Sequence, residues 1–273
     1  MQSPDSNPTP YPDVNSILGV LLKNVQDVLG SHFIGMYLDG SLTSDAFDED
    51  SDIDFVVATD EDISADLFLA LQAMHDQIAT IDSYWATQME GTYVSQHAIR
   101  RYDPAYNRHP HIQRGRNERL AMLDHSEEWT VHRHIVRERG ITISGPSPQT
   151  LIDPISPDDL RQAMRGPRWW LTRILNNRSE IAHRGWQSTV VLILCRILYT
   201  LETGDVVSKP AAASWAKEVL DAKWKALIDS TWEGRHHPGD NAQPDAINAT
   251  LDFIRFTLQK IDEFDASVNT LKR

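Results

Sequence analysis

Apolar residues fall at positions 14, 17, 18, 21, 22, 25, 28 and 29, the three-to-four spacing of one helix face, and Gly30 follows as a stop. This predicts a helix over 14–29. Residues 32–38 form a β-branched and aromatic run that reads as a strand, ended by the turn-forming Asp39-Gly40-Ser41. A second strand is predicted over 53–58, then a helix over 64–80 with Leu67, Leu71, Met74 and Ile78 turned inward. A third strand is expected over 84–95 and a short one over 141–144. Residues 1–12, polar and rich in proline, read as a flexible tail. Helices and strands mixed in this way describe an α+β domain, a small mixed sheet backed by helices.

The pattern changes near Gly145-Pro146, where four prolines occur by Pro157. Ser156 then supplies an N-cap, Pro157 the first helical position, and Asp158 and Asp159 the acids that suit a helix start. Beyond it the spacing is helical over 158–176, 188–203, 210–230 and 243–270. The expected organisation is an N-terminal domain over 13–157 and an all-α bundle over 158–273.

Length agrees: 273 residues make one large or two modest domains at roughly 100–200 residues each. With 41% hydrophobic and 24% charged residues, fibrous and wholly disordered classes are excluded. Lys and Arg number 26 against 39 Asp and Glu, a formal charge of −13, which disfavours nucleic acid as a partner and favours cationic ligands or metal ions. Cys195 stands alone in an apolar run, so a buried inert thiol and a reducing compartment are expected. The N-terminus has no signal-like apolar core, and the run 190–201 is interrupted by Arg196 and too short to span a bilayer. The expectation is a cytoplasmic monomer without a membrane partner.

The chemistry concentrates in Gly40-Ser41 followed by Asp52-Ile53-Asp54. Side chains alternate along a strand, so Asp52 and Asp54 share one face while Ile53 enters the core. Two carboxylates so close repel one another unless a divalent cation lies between them, and Mg²⁺ favours a few carboxylates plus substrate phosphate oxygens. Gly40 allows backbone N–H groups near a phosphate, and Ser41 adds a donor. These parts suit a nucleoside triphosphate undergoing phosphoryl or nucleotidyl transfer. Glu90, in the predicted third strand, reads either as a third carboxylate that accepts a proton or binds metal, or as an edge-strand residue facing water.

The segment YLDGSLTSDAFDEDSDIDFVV, with ten residues between Gly-Ser and Asp-x-Asp, resembles the nucleotidyltransferase superfamily of DNA polymerase β type. WTVHRHIVRERGITISGPSPQTLIDPISPDDLRQAM and VVLILCRILYTLETGDVVSKPAAASWA resemble the aminoglycoside adenylyltransferases that modify streptomycin and spectinomycin. The resemblance implies that Ser41 contacts the triphosphate of ATP, that Asp52 and Asp54 hold two magnesium ions with Glu90, and that Glu90 is the catalytic base. It further implies ATP contacts from Arg196 and Lys209, an aromatic at Trp232, and acceptor binding by Glu180. The implied reaction is ATP- and Mg-dependent transfer of AMP to a hydroxyl of a small polar acceptor, an aminoglycoside antibiotic among them. Transfer to a protein or RNA acceptor, and nucleotide binding without antibiotic modification, remain the alternatives.

Arg184 near Glu180 would oppose a polycation, and residues 100–119 form an arginine-rich stretch unlike the family. The paired histidines His109-x-His111, His132-x-His134 and His236-His237 lack consistent zinc-ligand spacing and read as surface or loop residues. The eight tryptophans, Trp169-Trp170 included, read mainly as core packing.

Overall fold

Residues 7–271 are described by a computed structural model of the chain, with side chains through residue 268. The chain divides into two compact units between Pro154 and Ile155.

The first unit is α+β. Its elements in order are α1 (Pro12–Leu29), β1 (Phe33–Leu38), β2 (Ile53–Thr59), α2 (Ala65–Ile78), β3 (Met89–Ser95), α3 (Gln96–Arg100), β4 (Arg108–Ile112), β5 (Ala121–Asp124), α4 (Trp129–Arg139) and β6 (Ile141–Ser144). The strands form a mixed sheet in the order β5-β4-β3-β2-β1-β6, with β2 and β3 parallel and the other neighbouring pairs antiparallel. The α2 crossover makes the parallel pair possible, since a short hairpin cannot return a strand in the same direction.

α1 buries Val14, Ile17, Leu18, Leu21, Val25 and Leu29, the predicted stripe. α2 begins where Ser64 Oγ accepts from Leu67 N and buries Leu71, Met74 and Ile78. Both stripes join Ile53, Phe55 and Val57 of β2 in one core cluster. Strand alternation therefore turns Asp54 and Val56 to the opposite face, where Val56 lines a small cavity with Trp129, His132 and Val136 of α4.

Several expectations need correction. Part of the proposed tail, residues 1–6, lies outside the described residues, but Thr9 is buried and its hydroxyl donates to Asn15 Oδ1 at 2.7 Å. Residues 84–87 form a 3₁₀ turn rather than strand, with Trp85 packed on Phe47 at 5.2 Å between ring centres. β4 escaped prediction because Pro110, which cannot donate to a ladder, and two histidines occupy it. β5 is exposed throughout and has no buried face to reveal it.

The second unit contains helices α5 (Pro157–Ala163), α6 (Arg168–Asn176), α7 (Arg184–Thr203), α8 (Lys209–Val219), α9 (Lys225–Gly234) and α10 (Pro244–Leu271), joined by turns and 3₁₀ segments. Ser156 and Asp159 form a reciprocal capping box at the start of α5. The helix expected over 158–176 breaks at Gly166-Pro167, where proline removes a backbone donor. The one expected over 210–230 breaks where Asp221 caps a short 3₁₀ segment. α7 is central, packing against α5, α8, α9 and α10. Cys195 is fully buried within it, and that burial pushes the thiol up to about 12.

Candidate active site

β1 ends at Leu38, and the chain turns through the 3₁₀ segment Gly40–Thr43. Asp39 organises the turn. Its backbone N–H donates to Asp54 O at 3.0 Å, and its Oδ1 accepts from Gly40 N at 2.6 Å. Gly40 has φ +65°, and a Cβ at that position would overlap Asp54 Oδ2. Glycine is required twice over, for the backbone and for the space. Ser41 Oγ is buried and makes no hydrogen bond among the described residues, a state that costs free energy until a partner arrives.

Asp54 stands directly opposite Glu90 in the parallel register of β2 and β3. In each strand that position is the partly exposed one and the remaining residues are buried. Next to this pair Gly91 leaves room for the Phe55 ring, which a Cβ would overlap. Burial alone would raise the Glu90 carboxyl, but the neighbouring His111 imidazole overrides it, with His132 and Arg114 adding positive charge. The result lies below the usual glutamate range, so Glu90 is an ionised acceptor at neutral pH. His111 Nε2 is 3.6 Å from Glu90 Oε1.

Asp52 lies one residue before β2, at the end of a loop folded on itself through Ser51, whose hydroxyl donates to Asp48 Oδ1 at 2.8 Å. Arg114 reaches this loop from beyond β4, donating to Asp50 O at 3.0 Å and lying 3.8 Å from Asp52 Oδ2. Gly40, Asp54 and Glu90 are thus brought together, with Asp52 in the adjoining loop. Among the described residues no three His, Cys, Asp or Glu side chains converge as a set able to hold a metal ion. The donors nonetheless suit Mg²⁺ in kind, being hard carboxylate oxygens, and the glycine gap lies against Asp54 Oδ2.

The histidine expectation is overturned for this unit. His109, His111 and His125 are buried, and His132 is half-buried on α4. His125 stacks face to face on Trp129 at 3.4 Å, and Trp129 stacks on His132 at 4.7 Å. Burial drives the His109 imidazole down to about 4 with help from Arg133. Burial lowers His125 still further, assisted by the surrounding histidines and Arg133. Asp39, His111, Arg114 and His132 touch the candidate site without having stood out in the sequence. The signal was weak: His109 and His111 share the two-residue spacing of a strand face, but Pro110 obscures the strand.

Arg196, Lys209, Trp232 and Glu180 all lie in the second unit. Arg196 is half-buried in α7. Lys209 is the first residue of α8, an end whose partial positive charge suits anions better than cations. The Trp232 ring is covered by the Arg235 guanidinium at 4.7 Å. Glu180 is engaged by Arg173, at 2.9 Å from Nη2 and 3.1 Å from Nε. Trp169, expected in a core, is exposed, with Arg173 over its ring at 5.3 Å.

Residues 150–257 match the family described as aminoglycoside adenylyltransferase, C-terminal domain. A spectinomycin 9-adenylyltransferase of Staphylococcus aureus is 24% identical over 220 residues, covering 78% of this chain and 82% of that one. An aminoglycoside (3'') (9) adenylyltransferase of Klebsiella pneumoniae is 36% identical over 92 residues, or 34% of this chain and 33% of that one. The crystal structure of spectinomycin adenyltransferase AAD(9) from Enterococcus faecialis, solved with ATP and spectinomycin, superposes with a TM-score of 0.69 at 17% identity. That match covers 90% of this chain and 98% of the other, and it establishes a shared fold.

Proposed function

We propose that the chain, which is similar to aminoglycoside adenylyltransferases, transfers AMP from ATP to a hydroxyl of a small polar acceptor of the spectinomycin type. The observation that carries this reading is the register of Asp54 against Glu90 with Gly40 closing on Asp54. It gathers two carboxylates beside a turn whose serine hydroxyl lacks a partner among the described residues.

In this reading Ser41 donates to a phosphate oxygen, satisfying an otherwise costly buried hydroxyl. Glu90 accepts the proton of the acceptor hydroxyl as that oxygen attacks the α-phosphorus. A new P–O bond forms, the bond to the β-phosphate oxygen breaks, and pyrophosphate leaves. The low pKa of Glu90 keeps it free of a proton at neutral pH, at some loss of basicity. Asp54 and Glu90, with Asp52 from the adjoining loop, would hold Mg²⁺ jointly with the substrate's phosphate oxygens, and the ion would supply charge neutralisation and polarise the phosphoryl group. Arg196 and Lys209 are the proposed cationic contacts to ATP and Trp232 the aromatic one. The pairing of Glu180 with Arg173 argues that this acid meets a modestly charged acceptor rather than a polycation.

The test is pyrophosphate release from ATP and magnesium, with spectinomycin, streptomycin and other aminoglycosides as acceptors, in wild type and Asp54→Asn. Turnover with one acceptor that disappears in the variant supports the reading. Release only with a protein or tRNA would move the acceptor to another class. ATP binding with no turnover on any acceptor would refute the transferase assignment.

A further inference from the structure

We propose that His132 is a positioning residue for the nucleotide, acting through Asp39 on the Gly40 turn; this rests on the adenylyl-transfer reading above. Asp39 is a carboxylate only 2% exposed, and both its oxygens are used. Oδ1 takes the Gly40 N–H, and Oδ2 takes His132 Nδ1, each at 2.6 Å. A carboxylate can only accept, so Nδ1 of His132 carries the hydrogen. Short bonds of this kind are charge-assisted, and a buried carboxylate oxygen left without one is costly.

His132 is itself fixed. Trp129 precedes it by three residues on the same face of α4 and stacks on its ring at 4.7 Å. Trp129 is sandwiched against the fully buried His125 at 3.4 Å, with the two planes only 8° apart. His125 Nε2 lies 3.4 Å from Thr92 Oγ1 on β3, two residues beyond Glu90. A continuous column of rings thus connects the strand of the proposed base to the turn that would receive the polyphosphate. At one end of the column Asp39 is locked in place. Remove the His132 N–H and Oδ2 is orphaned; the carboxylate must turn toward another donor, and Gly40 and Ser41 lose their reference point.

The experiment measures Mg·ATP affinity by calorimetry, together with kcat for pyrophosphate release, in the full chain and two variants. His132→Ala deletes the donor. His132→Asn places a carboxamide N–H where Nδ1 stood. Because His132 is half-exposed, neither change should unfold the unit, and thermal melting verifies that. His132→Ala is expected to weaken ATP binding about tenfold, the scale of one lost charge-assisted hydrogen bond, while kcat changes less. His132→Asn is expected to restore affinity to within about threefold of wild type. Equal weakening in both variants would show that ring packing alone matters and overturn the proposal. Unchanged affinity in His132→Ala, or a fall in kcat without a change in affinity, would overturn it as well. A wild-type chain that does not bind ATP instead defeats the adenylyl-transfer reading, and this inference with it.

Discussion

Asp54 on β2 and Glu90 on β3 are register partners, and each is the partly exposed residue of a strand that is otherwise buried. Two carboxylates in such positions are placed to meet a bound cation and substrate. Glu90→Gln should therefore lower kcat for pyrophosphate release about 10²- to 10⁴-fold, the usual range for removing a general base. Asp54→Asn should be at least as damaging. Far-ultraviolet circular dichroism should be unchanged in both, and activity within a few-fold of wild type would remove Glu90 from the role of base.

Gly40 and Gly19 make opposite predictions. At Gly40 φ is +65° and a Cβ would meet Asp54 Oδ2. Gly40→Ala should destabilise the unit by about 1–3 kcal/mol and weaken ATP binding. Gly19 lies within α1 with nothing inside 4 Å of its Cβ position. Gly19→Ala should instead stabilise by about 0.5–1 kcal/mol through helix propensity and a less flexible unfolded chain. Urea unfolding of the two variants in parallel checks both signs.

What the sequence reveals tracks where periodicity and special residues coincide. α1 and the core of α2 are legible because each buries one stripe, β1 and β2 because each is a short apolar run buried on both faces, and all are bounded by a glycine, aspartate or capping serine. Gly40, Ser41, Asp52 and Asp54 stand out as candidates because a turn and alternating acids leave a local pattern, whereas Glu90 is a single acid in a strand and stands out less. Asp39 and His132 leave none: 93 residues separate them, and their bond exists only once α4 is folded onto the sheet. The same holds for Arg114, whose contacts with Asp50 and Asp52 cross from one loop to another. In the second unit the breaks at Gly166-Pro167 and Asp221 were visible as residues, but the helical pattern on both sides masked them.

His111 tunes the proposed base. Its charge, 3.6 Å from Glu90 Oε1, holds that carboxyl below the usual glutamate range against the opposing effect of burial. Protonated Glu90 cannot accept the acceptor's proton, so activity falls as pH drops through its pKa. With His111 present that acid limb lies below the ordinary carboxylate range. His111→Phe removes the stabilising partner and should move the limb of the kcat/KM profile to higher pH, as should Arg114→Ala more weakly. An acid limb that stays in place in His111→Phe would mean that some other group governs it.

Stability should weaken in mild acid for a reason remote from the site. His75 on α2 is buried, with Nε2 2.8 Å from the Tyr93 hydroxyl. Burial drives its pKa from the ordinary 6.5 to about 4, partly opposed by the charge of Asp76. Between those values the unfolded chain binds a proton that the folded chain refuses, so stability is complete above about 6.5 and is lost as pH falls toward about 4. At pH 5 the loss from this one residue is about 2 kcal/mol. His75→Gln can still bond the Tyr93 hydroxyl but cannot titrate. Urea unfolding of wild type and His75→Gln at pH 7 and pH 5 should therefore give a drop about 2 kcal/mol smaller in the variant. Equal drops would show that His75 takes up no proton on unfolding in this range.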